Sequence, residues 1–262
     1  MRGAHRPVLA FARLLAFLLF TLFLLLPYAA LLVVKRNGAE RKVACFYWRT
    51  VCRIVGIKIV VCGEASKTRP CLFVSNHASY FDIIVLGALL PAVFVAKREV
   101  GQWPGFGVIA RLGRTIFIER RSGKSREQRD EMVERLAKES LILFPEGTSN
   151  DGNRVLPFKS ALFSVVESLS IPVQPVSIAY AKLDGFPIGR AFRSLFAWYG
   201  DMNLAPHLWE ALGMGEVTVE VTYHRPVVLA DFPSRKELSG YCHHVVESGV
   251  AKANIGRKEE AS

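Results

Sequence analysis

A histidine and an aspartate five residues apart, His77 and Asp82, are the residues of this chain best suited to proton transfer. A neutral imidazole can accept a proton from a hydroxyl near pH 7. A carboxylate bonded to its other ring nitrogen selects the tautomer and stabilises the imidazolium. On a straight helix, side chains five residues apart diverge by about 140°. The pair therefore meets only if His77 lies in a turn before a helix, with Ser75 or Ser79 as candidate N-cap.

The residues around this pair predict a strand followed by a helix. The apolar run Cys71–Val74 is typical of a buried strand, and Ile83–Leu90 is typical of the helix after it. Open α/β folds bind ligands at such strand-to-helix turns. A single His-x4-Asp spacing carries a high false-positive risk, so a loop histidine and a solvated aspartate are the alternative for this motif alone.

A second stretch, Leu141–Thr148, repeats the design of an apolar strand that runs into a loop. The loop carries a carboxylate, Glu146, followed by Gly147. Glycine allows close approach of the backbone, so the Gly147 amide is a candidate donor to a substrate phosphate or an oxyanion. An ordinary turn is the alternative for this loop when it is considered alone.

Four segments in order resemble the motifs of one family. Asn76–Asp82 resembles the first motif of the glycerolipid acyltransferases of the 1-acylglycerol-3-phosphate acyltransferase type, and Phe144–Thr148 resembles the third. Ile116–Arg120 is similar to the second motif and Ile171–Val176 to the fourth. Four motifs in the order of the family are a specific signal, whereas each alone is weak.

The resemblance implies transfer of a fatty acyl group from an acyl thioester, acyl-CoA or acyl-carrier protein, to the hydroxyl of a lysophospholipid. It favours 1-acylglycerol-3-phosphate as acceptor, with His77 as general base and Asp82 as its orienting partner. No Gly-x-Ser-x-Gly elbow occurs, which fits direct attack without an acyl-enzyme. Another lysolipid, such as lyso-ornithine lipid, keeps the mechanism. A non-catalytic, membrane-tethered lipid-binding protein is the alternative of another class.

The same resemblance nominates residues for substrate binding. A guanidinium at Arg120 is suited to bidentate contact with phosphate. Glu146 is expected either to accept from the acceptor's glycerol hydroxyl or to position a basic residue. Lys97 and Lys159 are candidates for the phosphates of the acceptor or of the acyl carrier. The whole predicted binding set is Arg120, Glu146, Gly147, Thr148, Lys97 and Lys159.

Strands and helices alternate along the chain, which predicts an α/β fold. We expect a mostly parallel sheet covered by helices on both faces and preceded by an N-terminal membrane helix. The predicted strands are 57–61, 72–75, 92–96, 115–118, 141–144, 173–179 and 216–223, and the helices are 80–90, 104–112, 125–140 and 158–168. The expected division is an anchor (1–36), a connecting helix and first strand (37–69), an acyltransferase domain (70–252) and a polar tail (253–262).

The N-terminal region contains Leu14–Val34, 21 residues without a charge. As a helix it is about 31 Å long, enough to cross the hydrocarbon layer. A cleaved signal peptide and a kinked helix that enters one leaflet are the alternatives. Five positive side chains follow within the next fifteen residues and three precede the run, which favours a cytoplasmic acyltransferase domain.

Composition agrees with a membrane-associated enzyme of anionic lipids. The chain carries a formal net charge of +11, and 51% of its residues are hydrophobic. Such a charge suits anionic membranes or small anionic substrates, and no recognised motif for nucleic acids occurs. The five cysteines lack Cys-x-x-Cys spacing. We therefore expect reduced thiols, no metal site and no cofactor beyond the thioester co-substrate.

Overall fold

The computed structural model describes residues 5–34, 39–103, 106–119 and 125–256. Two long helices, α1 (Pro7–Val34) and α2 (Ala39–Val55), precede the first strand. Pro7–Leu25 is long and apolar enough to cross a membrane, with a mean hydropathy of 2.6, and it is the one such segment found among the described residues. The predicted apolar helix is thus present, and it begins seven residues before the uncharged run.

Among the described side chains of α1, one face packs on the protein and the opposite face is exposed. Ala10 is fully buried, and the guanidinium of Arg13 donates to the carbonyl oxygens of Leu212 at 3.0 Å and Met214 at 2.7 Å. The opposite face exposes large apolar side chains three or four residues apart, which is the repeat of one helix face. These are Val8, Phe11, Leu15, Leu18, Leu19 and Leu22, the apolar stripe of α1.

The remaining elements alternate much as the periodicity predicts. The strands are β1 (Ile57–Cys62), β2 (Leu72–Ser75), β3 (Val93–Lys97), β4 (Ile116–Ile118), β5 (Leu141–Leu143), β6 (Val173–Leu183), β7 (Phe186–Pro187) and β8 (Val217–Tyr223). The helices are α3 (Phe81–Leu89), α4 (Phe106–Leu112), α5 (Ser125–Leu136), α6 (Leu204–Leu212) and α7 (Arg235–Asn254). α6 lies in a stretch for which the sequence predicted no regular element.

The strands form one sheet in the order β1-β8-β6-β2-β5-β3-β4, with β7 beside β6. Five neighbouring strands, β6, β2, β5, β3 and β4, are parallel. β8 runs antiparallel to β6, and β1 is parallel to β8. The mostly parallel sheet is confirmed. Because β1 is hydrogen-bonded to β8, the sheet includes strands from both sides of residue 70.

Both faces of the sheet are covered, as expected for parallel strands. Alternate residues of β2 point to opposite faces: Phe73 packs with α2, α3 and α6, whereas Leu72 and Val74 pack with α5 and α7. All three side chains are fully buried. The carboxyl ends of the parallel strands therefore meet at one edge between two helical layers.

Two predicted helices differ from the observed ones. The segment predicted as a helix over 158–168 forms a 3-10 helix, Ser160–Val166. Its serines and valines disfavour an α-helix, because serine competes for backbone hydrogen bonds and valine loses side-chain freedom. The helix predicted over 125–140 ends at Leu136, and four residues separate it from Leu141, where β5 begins. Neither difference alters the order of the strands.

Candidate active site

The loop between β2 and α3 places His77 at the carboxyl edge of the sheet. β2 ends at Ser75, and the Asn76 side chain continues the pairing by accepting from Ile178 N–H at 2.8 Å and donating to its carbonyl at 2.9 Å. α3 begins only at Phe81, whose N–H donates to Ser79 Oγ at 3.3 Å. His77 therefore lies in the turn before the helix, as the sequence required.

The side chains of His77 and Asp82 meet. His77 Nδ1 lies 2.9 Å from Asp82 Oδ2, and the same oxygen accepts the N–H groups of Ala78 at 2.7 Å and Ser79 at 2.9 Å. Asp82 is fully buried, so these donors replace the water that the carboxylate loses. With Nδ1–H donating to the carboxylate, Nε2 carries the free lone pair and is the position from which His77 can accept a proton.

The imidazole is held from one side by an aromatic ring and remains accessible. The ring of Phe144 stacks on His77 with centroids 4.2 Å apart and planes 21° apart. The His77 side chain is 21% exposed, whereas Asp82 is 0% exposed. A substrate can therefore reach the ring of the histidine but not the carboxylate behind it.

Glu146 lies inside the protein and holds the same turn. Its Oε1 accepts the N–H of His77 at 2.7 Å. Its Oε2 accepts from Asn150 Nδ2 at 2.7 Å and from Leu156 N–H at 2.8 Å. Burial raises the pKa of Glu146 to about 7, although all three hydrogen bonds act to lower it. Sequence reasoning assigned this carboxylate to the acceptor or to a basic residue and missed its main-chain partners.

The rest of this loop forms a turn. Gly147 has a φ of +67°, a conformation that side chains disfavour, and its N–H donates to the carbonyl of Phe144 at 3.0 Å. The amide that the sequence analysis assigned to a phosphate or an oxyanion is therefore occupied by a carbonyl of the protein. Thr148 is exposed. Lys159 is exposed, and its N–H donates to the carbonyl of Pro145 at 3.0 Å, so it borders the same loop.

Lys97 lies at the carboxyl end of β3, opposite Ile118 of the parallel strand β4. It shares this edge of the sheet with the His77 turn. The next residue, Arg98, forms an ion pair with Glu119. Arg120 follows Glu119 and lies outside the described residues, so its predicted contact with a phosphate stays a prediction.

Charges of both signs border the turn on the side of the loop after β5. The residue before Asp151 donates its N–H to the carbonyl of His77 at 3.0 Å. Burial raises the pKa of Asp151, but hydrogen bonds from Asn153 and the charges of Arg154 and Arg190 outweigh it. The pKa therefore lies below its usual value, and this carboxylate is ionised near neutral pH.

An apolar cavity of about 130 Å³ lies between α2, α3, β3 and α4. Trp48, Tyr80, Phe94 and Trp103 are among its lining side chains. Phe94 stacks on Phe144 with centroids 6.4 Å apart, and Phe144 stacks on His77, so the cavity begins about two rings from the imidazole. Gly87 leaves room for the indole of Trp48, because a Cβ there would lie 2.5 Å from Trp48 Cδ1.

Comparison with known proteins gives consistent matches. The family model "Acyltransferase" matches residues 58–179. The chain is 41% identical over 243 residues to the lyso-ornithine lipid O-acyltransferase of Brucella abortus, covering 89% of this chain and 91% of that one. It is 31% identical over 201 residues to the 1-acyl-sn-glycerol-3-phosphate acyltransferase of Neisseria gonorrhoeae, covering 75% of each.

A solved structure shares the fold. The crystal structure of PlsC, the 1-acyl-sn-glycerophosphate acyltransferase of Thermotoga maritima, superposes with a TM-score of 0.65 at 23% identity. The match covers 95% of this chain and all of that one. The N-terminal helices and the sheet therefore belong to one shared architecture.

Proposed function

Because the chain belongs to the PlsC-like family of glycerolipid acyltransferases, we propose that it transfers a fatty acyl group from an acyl thioester to the hydroxyl of a lyso-ornithine lipid. The observation that carries this choice of acceptor is the similarity to the Brucella enzyme over nearly the whole of both chains. The acceptor that the motifs favoured, 1-acylglycerol-3-phosphate, becomes the second candidate, supported by the similarity to the Neisseria enzyme.

The geometry of His77 and Asp82 supports direct transfer. In the proposed reaction, His77 Nε2 takes the proton of the acceptor hydroxyl while that oxygen attacks the thioester carbonyl. The tetrahedral intermediate collapses by breaking the carbon–sulfur bond, and the imidazolium returns the proton to the thiolate. The products are an ester and a free thiol. Asp82 stabilises the positive charge that the imidazole carries between the two steps.

The charges beside the turn suit a zwitterionic head group. Ornithine attached through its α-amino group keeps a carboxylate and an ammonium group. Arg154 and Arg190 offer partners for the former and the ionised Asp151 a partner for the latter. A phosphate monoester has no cationic group for Asp151. For the second candidate, we propose Arg120 as the phosphate ligand, with Lys97 and Lys159 at the thioester's phosphates.

The apolar surfaces suit a lipid substrate and a membrane. We assign the cavity between α2 and α4 to a fatty acyl chain, since its wall is largely apolar and it begins close to His77. The apolar stripe of α1 would lie in the hydrocarbon layer, with the sheet domain on the cytoplasmic side. Burying such side chains contributes about 25 cal/mol for each Å² removed from water.

The test is acyl transfer by the purified full-length protein in lipid vesicles. Acyl-CoA and acyl-carrier protein serve in turn as donor, and lyso-ornithine lipid and 1-acylglycerol-3-phosphate as acceptor. Thiol release and mass spectrometry of the lipids report turnover, with His77→Ala as the inactive control. We expect ornithine lipid to form faster than phosphatidate.

Each other result points to a specific alternative. Faster formation of phosphatidate would establish the second candidate as the function. Thiol release at the no-enzyme rate with every acceptor would instead support a lipid-binding protein without turnover. Asp151→Asn distinguishes the two acceptors further. We expect it to raise KM for lyso-ornithine lipid about threefold, because one ion pair near the surface is lost. KM for the phosphate acceptor should stay unchanged.

A further inference from the structure

The second oxygen of the Asp82 carboxylate is held by a tyrosine that is distant in sequence but lies on β6, the strand next to β2. The hydroxyl of Tyr180 donates to Asp82 Oδ1 at 2.7 Å, while Oδ2 serves His77 and two backbone N–H groups. Tyr180 is 4% exposed, and its ring stacks on Phe196 with planes 2° apart. Burial, followed by the charge of Asp82, raises the pKa of this phenol well above its usual value. The hydroxyl therefore remains a donor at any pH at which the protein works.

Strand geometry brings Tyr180 to this position. β6 is parallel to β2 as far as the pair Ser75 and Val176, and the Asn76 side chain then pairs with the backbone of Ile178. Side chains two residues apart on a strand point to the same face. Tyr180 therefore continues the face of Val176 and Ile178 beyond the end of β2, where it meets the carboxylate at the start of α3.

We propose that Tyr180 is a positioning residue that tunes the basicity of His77 by holding the Asp82 carboxylate through its second oxygen. The inference rests on the proposed function only in taking His77 as the base. A donor on Oδ1 disperses the negative charge of the carboxylate, which weakens its attraction for the imidazolium. It also orients the plane of the carboxylate towards the imidazole.

Titratable groups on β6, in the turn before α3 and in the loop after β5 surround the pair His77 and Asp82. Besides His77 and Asp82 themselves, they are Tyr180 on β6, Tyr80 in the turn and Glu146 in the loop after β5. Glu146 titrates near neutral pH and influences His77 in every variant. The effect of Tyr180 must therefore be measured as a difference between proteins that all retain Glu146.

The decisive experiment follows the imidazole itself and requires no substrate. Full-length protein labelled with ¹⁵N-histidine in detergent micelles is titrated by NMR, and the His77 signals are assigned by their loss in His77→Gln. In Tyr180→Phe we expect the titration midpoint of His77 to move to higher pH by about half a unit, the effect of one neutral hydrogen bond. Tyr223→Phe, which removes a buried phenol from β8, is the matched control and should not move it.

A stronger donor at the same position should have the opposite effect. Replacing Tyr180 by 3,5-difluorotyrosine keeps the shape of the ring and makes the phenol a better donor, so the His77 midpoint should move to lower pH. If Tyr180→Phe fails to fold, the 3,5-difluorotyrosine variant still tests the proposal. An unchanged midpoint in the folded variants, or shifts of the reverse sign, would overturn the proposal.

Kinetics add a readout that a purely structural role would not change. In Tyr180→Phe, kcat should fall about tenfold with KM for both substrates unchanged, because the carboxylate no longer holds the imidazole in the orientation for proton transfer. The acid limb of the pH profile of kcat/KM should move to higher pH together with the NMR midpoint. If wild-type protein transfers no acyl group to any lysolipid, the proposed function fails while the NMR titration still decides the role of Tyr180.

Discussion

Asp82 and Glu146 are two nearly fully buried carboxylates beside neighbouring parallel strands, β2 and β5. Each accepts two backbone N–H groups, and their remaining donors differ. One oxygen of Asp82 also meets Nδ1 of the His77 imidazole, whose ring is accessible to substrate. The oxygens of Glu146 meet two backbone N–H groups and the amide of Asn150. The donors that face a carboxylate, rather than its place in a motif, therefore decide whether it supports a base or a loop.

The largest difference between the two carboxylates is expected in turnover. Asp82→Asn presents an amide to His77 and favours the wrong tautomer, so kcat should fall by about 10³-fold or more. Glu146→Gln keeps an acceptor for the His77 N–H and should lower kcat only about tenfold. Steady-state kinetics of purified variants in vesicles measure both values. Losses of equal size would mean that Glu146 acts on the substrate, and the comparison would be wrong.

Glu146 should also make the stability of the protein depend on pH. The pKa of Glu146 is raised from 4.5 to about 7 in the folded protein. Between these values the unfolded chain releases a proton that the folded protein retains. The free energy of unfolding therefore falls as pH rises from 4.5 to 7, by about 3 kcal/mol in total. Urea unfolding in one detergent at pH 4.5, 6 and 7.5 measures this change.

Glu146→Gln is the variant that tests this assignment. The neutral amide does not titrate. The free energy of unfolding of the wild type should therefore fall relative to that of the variant as pH rises from 4.5 to about 7. Two stability profiles that run parallel over the whole interval would contradict the raised pKa of Glu146.

A smaller effect is expected from the side chain that supports Glu146. Asn150→Ala removes the donor to Oε2 but keeps the backbone hydrogen bond from residue 150 to the His77 carbonyl. The carboxylate is then less stabilised, and kcat at pH 7.5 should fall about threefold, as for the loss of a weak hydrogen bond. Asn203→Ala, at an exposed asparagine before α6, is the control. A loss as large as that of Asp82→Asn would indicate that Asn150 contacts the reacting groups.

The sequence predicted the parts of the site that depend on neighbouring residues. Alternation of strands and helices predicted the layered sheet, and the turn before α3 followed from the spacing of His77 and Asp82. The same logic was wrong for the segment Ser160–Val166, which forms a 3-10 helix with hydrogen bonds between residues three apart instead of the four of an α-helix. It also had no signal for Tyr180, which lies four residues beyond the fourth motif and has no distinctive neighbours.

Four motifs in order indicated the family from the sequence alone. The apolar N-terminal helix and the pairing of an imidazole with a carboxylate followed from the spacing and periodicity of neighbouring residues. Only the folded chain brings Glu146 to the His77 N–H, 69 residues away, and Tyr180 to Asp82, 98 residues away. Those contacts depend on which strands are neighbours in the sheet. The order of β6, β2 and β5 is set by packing of both sheet faces against helices, which no local pattern records.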